Sequence, residues 1–220
     1  MIIAIDGPAG AGKSTVSRLL AERLGCIRID TGALYRAVAL AATRAGFAAR
    51  DVPELEAFVT ALDLRVTQDA VFLNGEDVSS EIRTPEASRS ASAFAAVPCV
   101  RAGLMELQRR LGRSAPSVLD GRDIGTVVFP DADAKIFLTA SAEERAKRRL
   151  AELRALGLGG GLSEVLAEIE ARDMQDTNRT VAPLRQAPDA VLVDATSLTL
   201  EGAVDACYAA VQRQLDQGRE

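Results

Sequence analysis

Apolar positions recur along this chain in two rhythms. Short unbroken apolar runs alternate with longer stretches whose apolar side chains fall three and four residues apart. The first rhythm marks strands buried on both faces, and the second marks helices with one buried stripe. Ile2 to Ile5 is the first run. A glycine loop follows, then a helical stretch in which Val16, Leu19, Leu20 and Leu24 share a face and Gly25 supplies the stop. Residues 26–29 form a second run, and Asp30-Thr31-Gly32 opens a helix through Leu34, Val38 and Leu40. SVLD (117–120), KIFLTA (135–140) and AVLVDA (190–195) bring the strands to five. Further helices are predicted over 98–112, 141–156, 163–180 and 199–215, and LGLGGGL (156–162) is a flexible break.

From about residue 63 the rhythm changes. LRVTQDAVFLNGEDV alternates and carries Asn74-Gly75, the signature of one or two antiparallel hairpins. Repeated strand–helix units with one antiparallel insert predict an α/β fold: a doubly wound parallel sheet with helices on both faces and a small inserted lobe. Ligands bind such sheets at the carboxyl ends of the strands. Gly7, Asp30, Asp120 and Asp194 all stand at strand ends and are expected there.

Composition narrows the chemistry. The 220 residues are 48% apolar and 26% charged, an ordinary globular balance. There is no histidine, which excludes Ser-His-Asp and Cys-His mechanisms and His-ligated metal sites. The basic residues are 23 Arg and 3 Lys, and Arg is the residue suited to bidentate phosphate recognition. A net charge of -5 argues against a nucleic-acid-coating protein. Cys26, Cys99 and Cys207 form no CxxC pair and read as small buried thiols in a reducing, cytoplasmic setting. No run approaches the roughly 20 apolar residues of a membrane span. No heptad or apolar seam appears, which predicts a monomer.

The strongest motif is Gly7-Pro8-Ala9-Gly10-Ala11-Gly12-Lys13-Ser14, which satisfies G-x-x-x-x-G-K-[ST] between a strand and a helix. Its glycines let backbone N–H groups wrap a phosphate, and the helix adds its positive end. Lys13 reaches β- and γ-phosphates and Ser14 holds Mg²⁺. Asp120, at the end of a buried strand, suits the second metal-side element, holding Mg²⁺ or its waters; a turn cap before GRDIG is the alternative. Arg122 and Asp123 point into the same region, or else form a surface ion pair. Arg172, Asp176 and Arg179 fall at i, i+4 and i+7, one helix face, which reads either as a solvated ion pair or as an arginine face over phosphates. Arg145, Lys147, Arg148 and Arg149 carry the same ambiguity. A basic helix, a glycine hinge and a second Arg-bearing helix suit a closing lid.

None of the three lysines follows Asn, so the Asn-Lys-x-Asp base-reading motif of GTPases is absent. A small-molecule kinase fits, because phosphoryl transfer asks mainly for positioning and charge neutralisation.

These residues closely resemble the bacterial cytidylate kinases among the nucleoside monophosphate kinases. The match runs through IDGPAGAGKST, IDTGALYR, NGEDVSSEIR, VPCVR, DGRDIGTVVFPDADAKIFLTAS, RDMQDTNR and VAPL. The resemblance implies an adenylate-kinase-like P-loop fold with a core over about 1–36, 113–155 and 181–220. It also implies a monophosphate-binding lobe over about 37–112, and a lid at 156–163 flanked by the helix 163–180. It implies phosphorylation of CMP and dCMP by ATP-Mg²⁺, in pyrimidine nucleotide metabolism. Gly7 to Thr15 are then the ATP phosphate loop, and Arg148 covers the ATP side. Thr31, Tyr35 and Arg36 belong to the monophosphate side. Arg36, Arg122 and Arg179 surround the CMP phosphate and the group in flight; Ser92, Arg101 and Asp123 read cytosine. Arg172 and Asp176 contact the sugar, with Arg172 also near the transferred group.

Base chemistry supports the same set. Cytosine offers an amino donor at N4 and an acceptor at N3, which a carboxylate and a guanidinium meet. Uracil reverses both groups, and unpaired buried groups of this kind discriminate by roughly 10⁴-fold. Two other readings stand beside this one: a shikimate-type or UMP-preferring P-loop kinase, and a nucleotide-binding regulatory or RNA-binding module without turnover.

Overall fold

The five apolar runs lie side by side as one parallel sheet. The computed structural model describes residues 1–67 and 70–217. The sheet strands are β1 (Ile2–Asp6), β2 (Ile27–Asp30), β6 (Ser117–Gly121), β7 (Ala134–Thr139) and β8 (Val191–Asp194), in the order β2-β6-β1-β7-β8. In chain order the helices are α1 (Lys13–Leu24), α2 (Thr31–Arg44), α3 (Pro53–Ala61), α4 (Pro85–Phe94), α5 (Pro98–Ser114), α6 (Ala142–Ala155), α7 (Leu162–Thr177) and α8 (Leu200–Gln217). Asp6 registers with Gly121 and with Phe137, so the carboxyl ends of the three central strands are level. That aligned edge is the platform for the site.

Side-chain alternation divides the interior. Ile3, Ile5, Val118, Ile136 and Leu138 pack on one sheet face with Val16 and Leu20 of α1 and Val204 and Val211 of α8. Ala4, Ile29 and Leu119 face the other way, against Ile124, Val128 and Phe129. A third cluster lies wholly in residues 33–104 and contains Leu34, Val38, Leu55, Val78, Ile82, Phe94 and Leu104. A small fourth one holds α6 to α7 through Ala146, Leu150, Leu153, Val165 and Ile169.

The antiparallel insert is a three-stranded sheet of β3 (Leu64–Val66), β4 (Val71–Leu73) and β5 (Glu76–Asp77) in that order. Asn74 and Gly75 both have positive φ, 50° and 86°, and Leu73 pairs with Glu76. This is the two-residue turn that the Asn-Gly pair predicts. The β3–β4 connection includes residues 68 and 69, which lie outside the described residues.

Two helices appear where periodicity gave none. In α3 only Leu55 and Val59 are buried, and in α4 only Ala91 and Phe94, so neither sequence carries a full apolar stripe. Local chemistry starts them instead: both have Pro in the first turn, and the Thr84 hydroxyl caps α4 by accepting from the Ala87 N–H at 3.1 Å. The helix expected over 163–180 ends at Thr177, with Asn178 as its cap. Arg179 therefore lies past the helix and is not on one helical face with Arg172 and Asp176. Of the four strand-end residues, Asp194 turns away from the others. It is exposed, and Oδ1 accepts from the Thr196 N–H and hydroxyl. Cys99 and Cys207 are buried and Cys26 is half-buried; all three are free thiols. Among the described residues no helix is long and apolar enough to cross a membrane.

Candidate active site

The phosphate loop leaves the end of β1 through a tight passage. Gly7 has φ +149°, and a Cβ there would stand 1.9 Å from the Leu138 carbonyl oxygen. The loop continues through Pro8, Ala9, Gly10 and Ala11 to Gly12, whose carbonyl accepts the Thr15 and Val16 N–H groups and starts α1. No acidic residue occupies the first turn of α1, so the helix's positive end is uncompensated. The Lys13 side chain is buried under the loop, and Nζ donates to the Pro8 carbonyl at 2.6 Å. Burial, with the Arg122 guanidinium adding to it, holds the Lys13 ammonium well below its ordinary pKa. Arg148 reaches the same loop from α6, donating to the carbonyls of Ala11 (3.5 Å) and Ala195 (2.7 Å).

Asp120 closes the loop's metal side. Its Oδ2 accepts from the Ser14 hydroxyl at 3.3 Å, while Oδ1 accepts from the Ser17 hydroxyl at 2.7 Å and from Arg28 Nε at 3.0 Å. The turn-cap alternative for Asp120 is thus not what the carboxylate does. Burial, with Asp30 nearby, raises its pKa against the pull of Arg28. Among the described residues no three His, Cys, Asp or Glu side chains group as metal ligands. One carboxylate beside one hydroxyl is the hard-oxygen donor set of a cation that keeps waters and phosphate oxygens as its other ligands, which is the habit of Mg²⁺.

Across the cleft, Asp30 caps α2 by accepting from the Ala33 N–H at 2.9 Å and pairs with Arg36 at 3.1 Å. The Thr31 hydroxyl donates to the Asp120 carbonyl at 2.8 Å. Tyr35 is buried beneath Arg101, whose guanidinium lies 5.5 Å from the ring centroid. Arg101 forms a short, fully buried ion pair with Asp123 and also donates to the Ala95 carbonyl. Burial raises the Asp123 carboxyl despite Arg101 and Arg179 beside it. Arg122 Nε donates to Asp176 at 2.8 Å. Burial pushes Asp176 up, but Arg122, Arg179 and Arg172 outweigh it and hold the carboxyl below its usual range. Arg172 falls to about 10 through burial and the repulsion of Arg122. Ser92, on α4, meets Gln175 of α7 at 3.2 Å.

One feature unites this wall. Buried guanidinium nitrogens of Arg36 (Nε), Arg172 (Nε) and Arg179 (Nε and Nη2) have no hydrogen-bond partner. Burial, with neighbouring guanidinium groups adding to it, lowers the pKa of Arg172 and Arg179 against the pull of Asp176. Orphaned buried donors cost about 1–3 kcal/mol each, more when charged, and an anion bound among them would offset that cost. The surface-ion-pair alternatives do not hold: Asp123 pairs with Arg101 and Asp176 with Arg122, both carboxylates buried, and Arg172 forms no ion pair among the described residues.

Two participants, Asp6 and Arg28, were not singled out in the sequence, and a third, Arg145, was named only within a basic run. Asp6, at the end of β1, accepts from the N–H groups of Ile124 and Gly125 at 2.8 and 2.7 Å, pinning a π-helical turn (Ile124–Val128) that follows the Arg122–Asp123 pair. Burial pushes its carboxyl up to about 6. Arg28 braces Asp120; its signal was a charge inside the short strand IRID. Arg145 is buried among the charged residues of α6, where nothing in the sequence separates it from Lys147, which is exposed.

A glycine loop turned out of the central strand of a parallel sheet, with a hydroxyl–carboxylate pair beside its lysine, defines a P-loop nucleotide-binding protein. The fold is similar to that of a solved uncharacterized protein from Eubacterium ventriosum ATCC 27560, with a TM-score of 0.51 at 14% identity over 99% of this chain and 98% of that one. The sequence goes further: a family model described as cytidylate kinase matches residues 3–213. A cytidylate kinase of Geobacter sp. (strain M21) is 51% identical over 99% of this chain and 95% of its own length. One from Syntrophotalea carbinolica is 52% identical over 93% of this chain and 89% of its own. The chain belongs to the cytidylate kinase family.

Proposed function

We propose that the protein transfers the γ-phosphoryl group of ATP to the 5′-phosphate of CMP or dCMP, giving ADP and CDP or dCDP. The observation that carries this reading is the set of orphaned buried donors on Arg36, Arg172 and Arg179, facing a phosphate loop. Two phosphate-bearing substrates meeting between those walls would satisfy both.

The ATP phosphates lie along residues 7–15, with the loop N–H groups, Lys13 and the positive end of α1 as partners and Arg148 beside them. Ser14 and Asp120 would hold Mg²⁺, whose charge would offset that of the ATP phosphates. An oxygen of the CMP phosphate forms its bond to the γ-phosphorus. The bond to the bridging oxygen breaks, and the electron pair leaves on ADP. A monophosphate dianion brings its own lone pair, so no protein base is needed, in keeping with a chain that has no histidine. Arg122, Arg172 and Arg179 stabilise the charge on the group in flight. Arg36 steadies the CMP phosphate, Thr31 and Tyr35 line its side, and Arg172 with Asp176 orient the sugar. Arg101 and Asp123 present a donor and an acceptor to cytosine N3 and N4, with Ser92 at the edge. The lobe over about 37–112 and the lid at 156–163 then close over the two substrates.

The test is ADP release from ATP-Mg²⁺ with CMP, dCMP, UMP, AMP and shikimate in turn. CMP and dCMP should turn over at least about 100-fold more efficiently than the others. Preference for AMP, UMP or shikimate would overturn the substrate reading.

A further inference from the structure

Arg145 joins three elements at once. Its guanidinium is nearly enclosed, with the side chain 6% exposed. Nε donates to the Ala140 carbonyl, just past β7, at 2.9 Å. Nη1 donates to the Ala9 carbonyl, in the phosphate loop, at 3.1 Å. Nη2 meets the Asp173 carboxylate of α7 at 2.6 Å. The loop rests directly on this side chain, for a Cβ at Gly10 would stand 3.1 Å from Arg145 Cβ.

The far end of the bridge is placed to matter. Asp173 is the neighbour of Arg172 and lies three residues before Asp176, so any turn of α7 at Asp173 re-aims both. The apolar contact between α6 and α7 stops at Ala146 and Ile169. Beyond it, toward the cleft, the two helices are fixed by a charge pair rather than by packing. Asp173 Oδ1 is buried with no other partner, so the carboxylate has nowhere else to go. Asp173 is a quarter exposed but Arg145 is enclosed, so parting the pair strands the guanidinium and is strongly disfavoured.

We propose that Arg145 and Asp173 are positioning residues that couple the phosphate loop to α7, so that nucleotide on the loop and monophosphate on the arginine wall each tighten the other. This rests on the two-substrate reading above. A shift of the loop at Ala9 drags the planar guanidinium, the guanidinium drags Asp173, and α7 carries Arg172 and Asp176 with it. By linkage the effect is reciprocal.

The experiment is calorimetric titration of CMP with and without a non-hydrolysable ATP analogue and Mg²⁺, on wild type, Asp173→Asn and Asp173→Glu. If the ADP-release assay accepts a different monophosphate, that one replaces CMP, so a wrong substrate does not decide this question. Wild type should bind the monophosphate about 5- to 150-fold more tightly when the analogue is present. In Asp173→Asn, which keeps both carbonyl contacts of Arg145, that ratio should fall to near one while affinity for the analogue alone stays within about twofold. Asp173→Glu should recover part of the ratio, which mere filling of space would not. Should Asp173→Asn fail to fold, Arg145→Lys keeps the charge, loses the three-way reach and takes its place. A wild-type ratio near one, or an undiminished ratio in the substituted proteins, would overturn the proposal.

Discussion

Arg122 Nε and the Asp176 carboxylate meet at 2.8 Å although 54 residues separate them. The contact ties the end of the central sheet to α7, and it gives each partner a fixed direction. Arg122 Nη1 donates to the Gly121 carbonyl at 3.2 Å, and under the proposed function Nη2 is left for an anion. Under the proposed function, the second Asp176 oxygen accepts from a sugar hydroxyl.

Replacing Asp176 by Asn therefore removes a charge-assisted bond and frees Arg122. Such bonds contribute about 1.5–3 kcal/mol. The expected result in steady-state kinetics is a KM for CMP raised about 10- to 100-fold, with a smaller loss in kcat. An unchanged KM would separate Asp176 from the substrate.

Arg179→Ala should separate activity from stability. Its Nε and Nη2 have no hydrogen-bond partner, and the repulsion of Arg101 and Arg122 works against the pull of Asp176 and Asp123. Little internal bonding is lost when it goes. The melting temperature should move by less than about 4 °C. If the side chain acts on the transferring group, as the proposed function has it, kcat should fall about 10²- to 10³-fold. Differential scanning fluorimetry beside single-turnover kinetics checks both halves.

Asp123→Ala should do the opposite and cost both. Arg101 would be left as a buried unpaired charge, a loss of about 3–5 kcal/mol. The acceptor for the cytosine amino group would also be gone. The ratio of CMP to UMP efficiency should fall about 100-fold, read by competing the two substrates. Selectivity preserved in a folded Asp123→Ala protein would refute the base-reading role.

Asp6 makes a pH prediction. Its carboxyl is raised to about 6 in the folded protein, chiefly by burial, against about 3.9 in an unfolded chain. A raised acid binds its proton more tightly when folded. Its stabilising share is thus complete below the unfolded value and is lost as pH rises through about 6. Asp6→Asn removes the titration. The stability difference between wild type and Asp6→Asn, measured by urea unfolding, should narrow between pH 4 and pH 6. A difference that is flat or widens over that range would refute the assignment.

Much of the fold was legible because its signals are local. The β1–loop–α1 unit, the Asn74-Gly75 turn and the five strands of the parallel sheet each announce themselves within a few residues. So do Lys13, Ser14 and Asp120. The helices α3 and α4 were not legible, since their starts are set by Pro and a Thr cap and their burial is too thin to leave a stripe. Arg145 and Asp6 were hidden for a different reason. Their partners lie 136 and 118 residues away, at Ala9 and Ile124, and no local pattern encodes such a meeting. Arg179 was located in sequence but misplaced on a helix, because spacing alone does not reveal that Asn178 ends α7.

The division of the interior into separate apolar clusters sets how the molecule comes apart. The cluster over residues 33–104 and the one between α6 and α7 are each closed within one stretch of chain, whereas the sheet clusters draw on residues from 3 to 211, so either of the first two can be lost without the sheet. Amide hydrogen exchange should then report tiers. β1, β6 and β7, covered on both faces, would exchange only on global opening. The α6–α7 pair, held by a handful of apolar side chains and one buried ion pair, would open first and often. The part of the protein nearest the chemistry is in this sense its least durable, with its own unfolding equilibrium beneath that of the sheet.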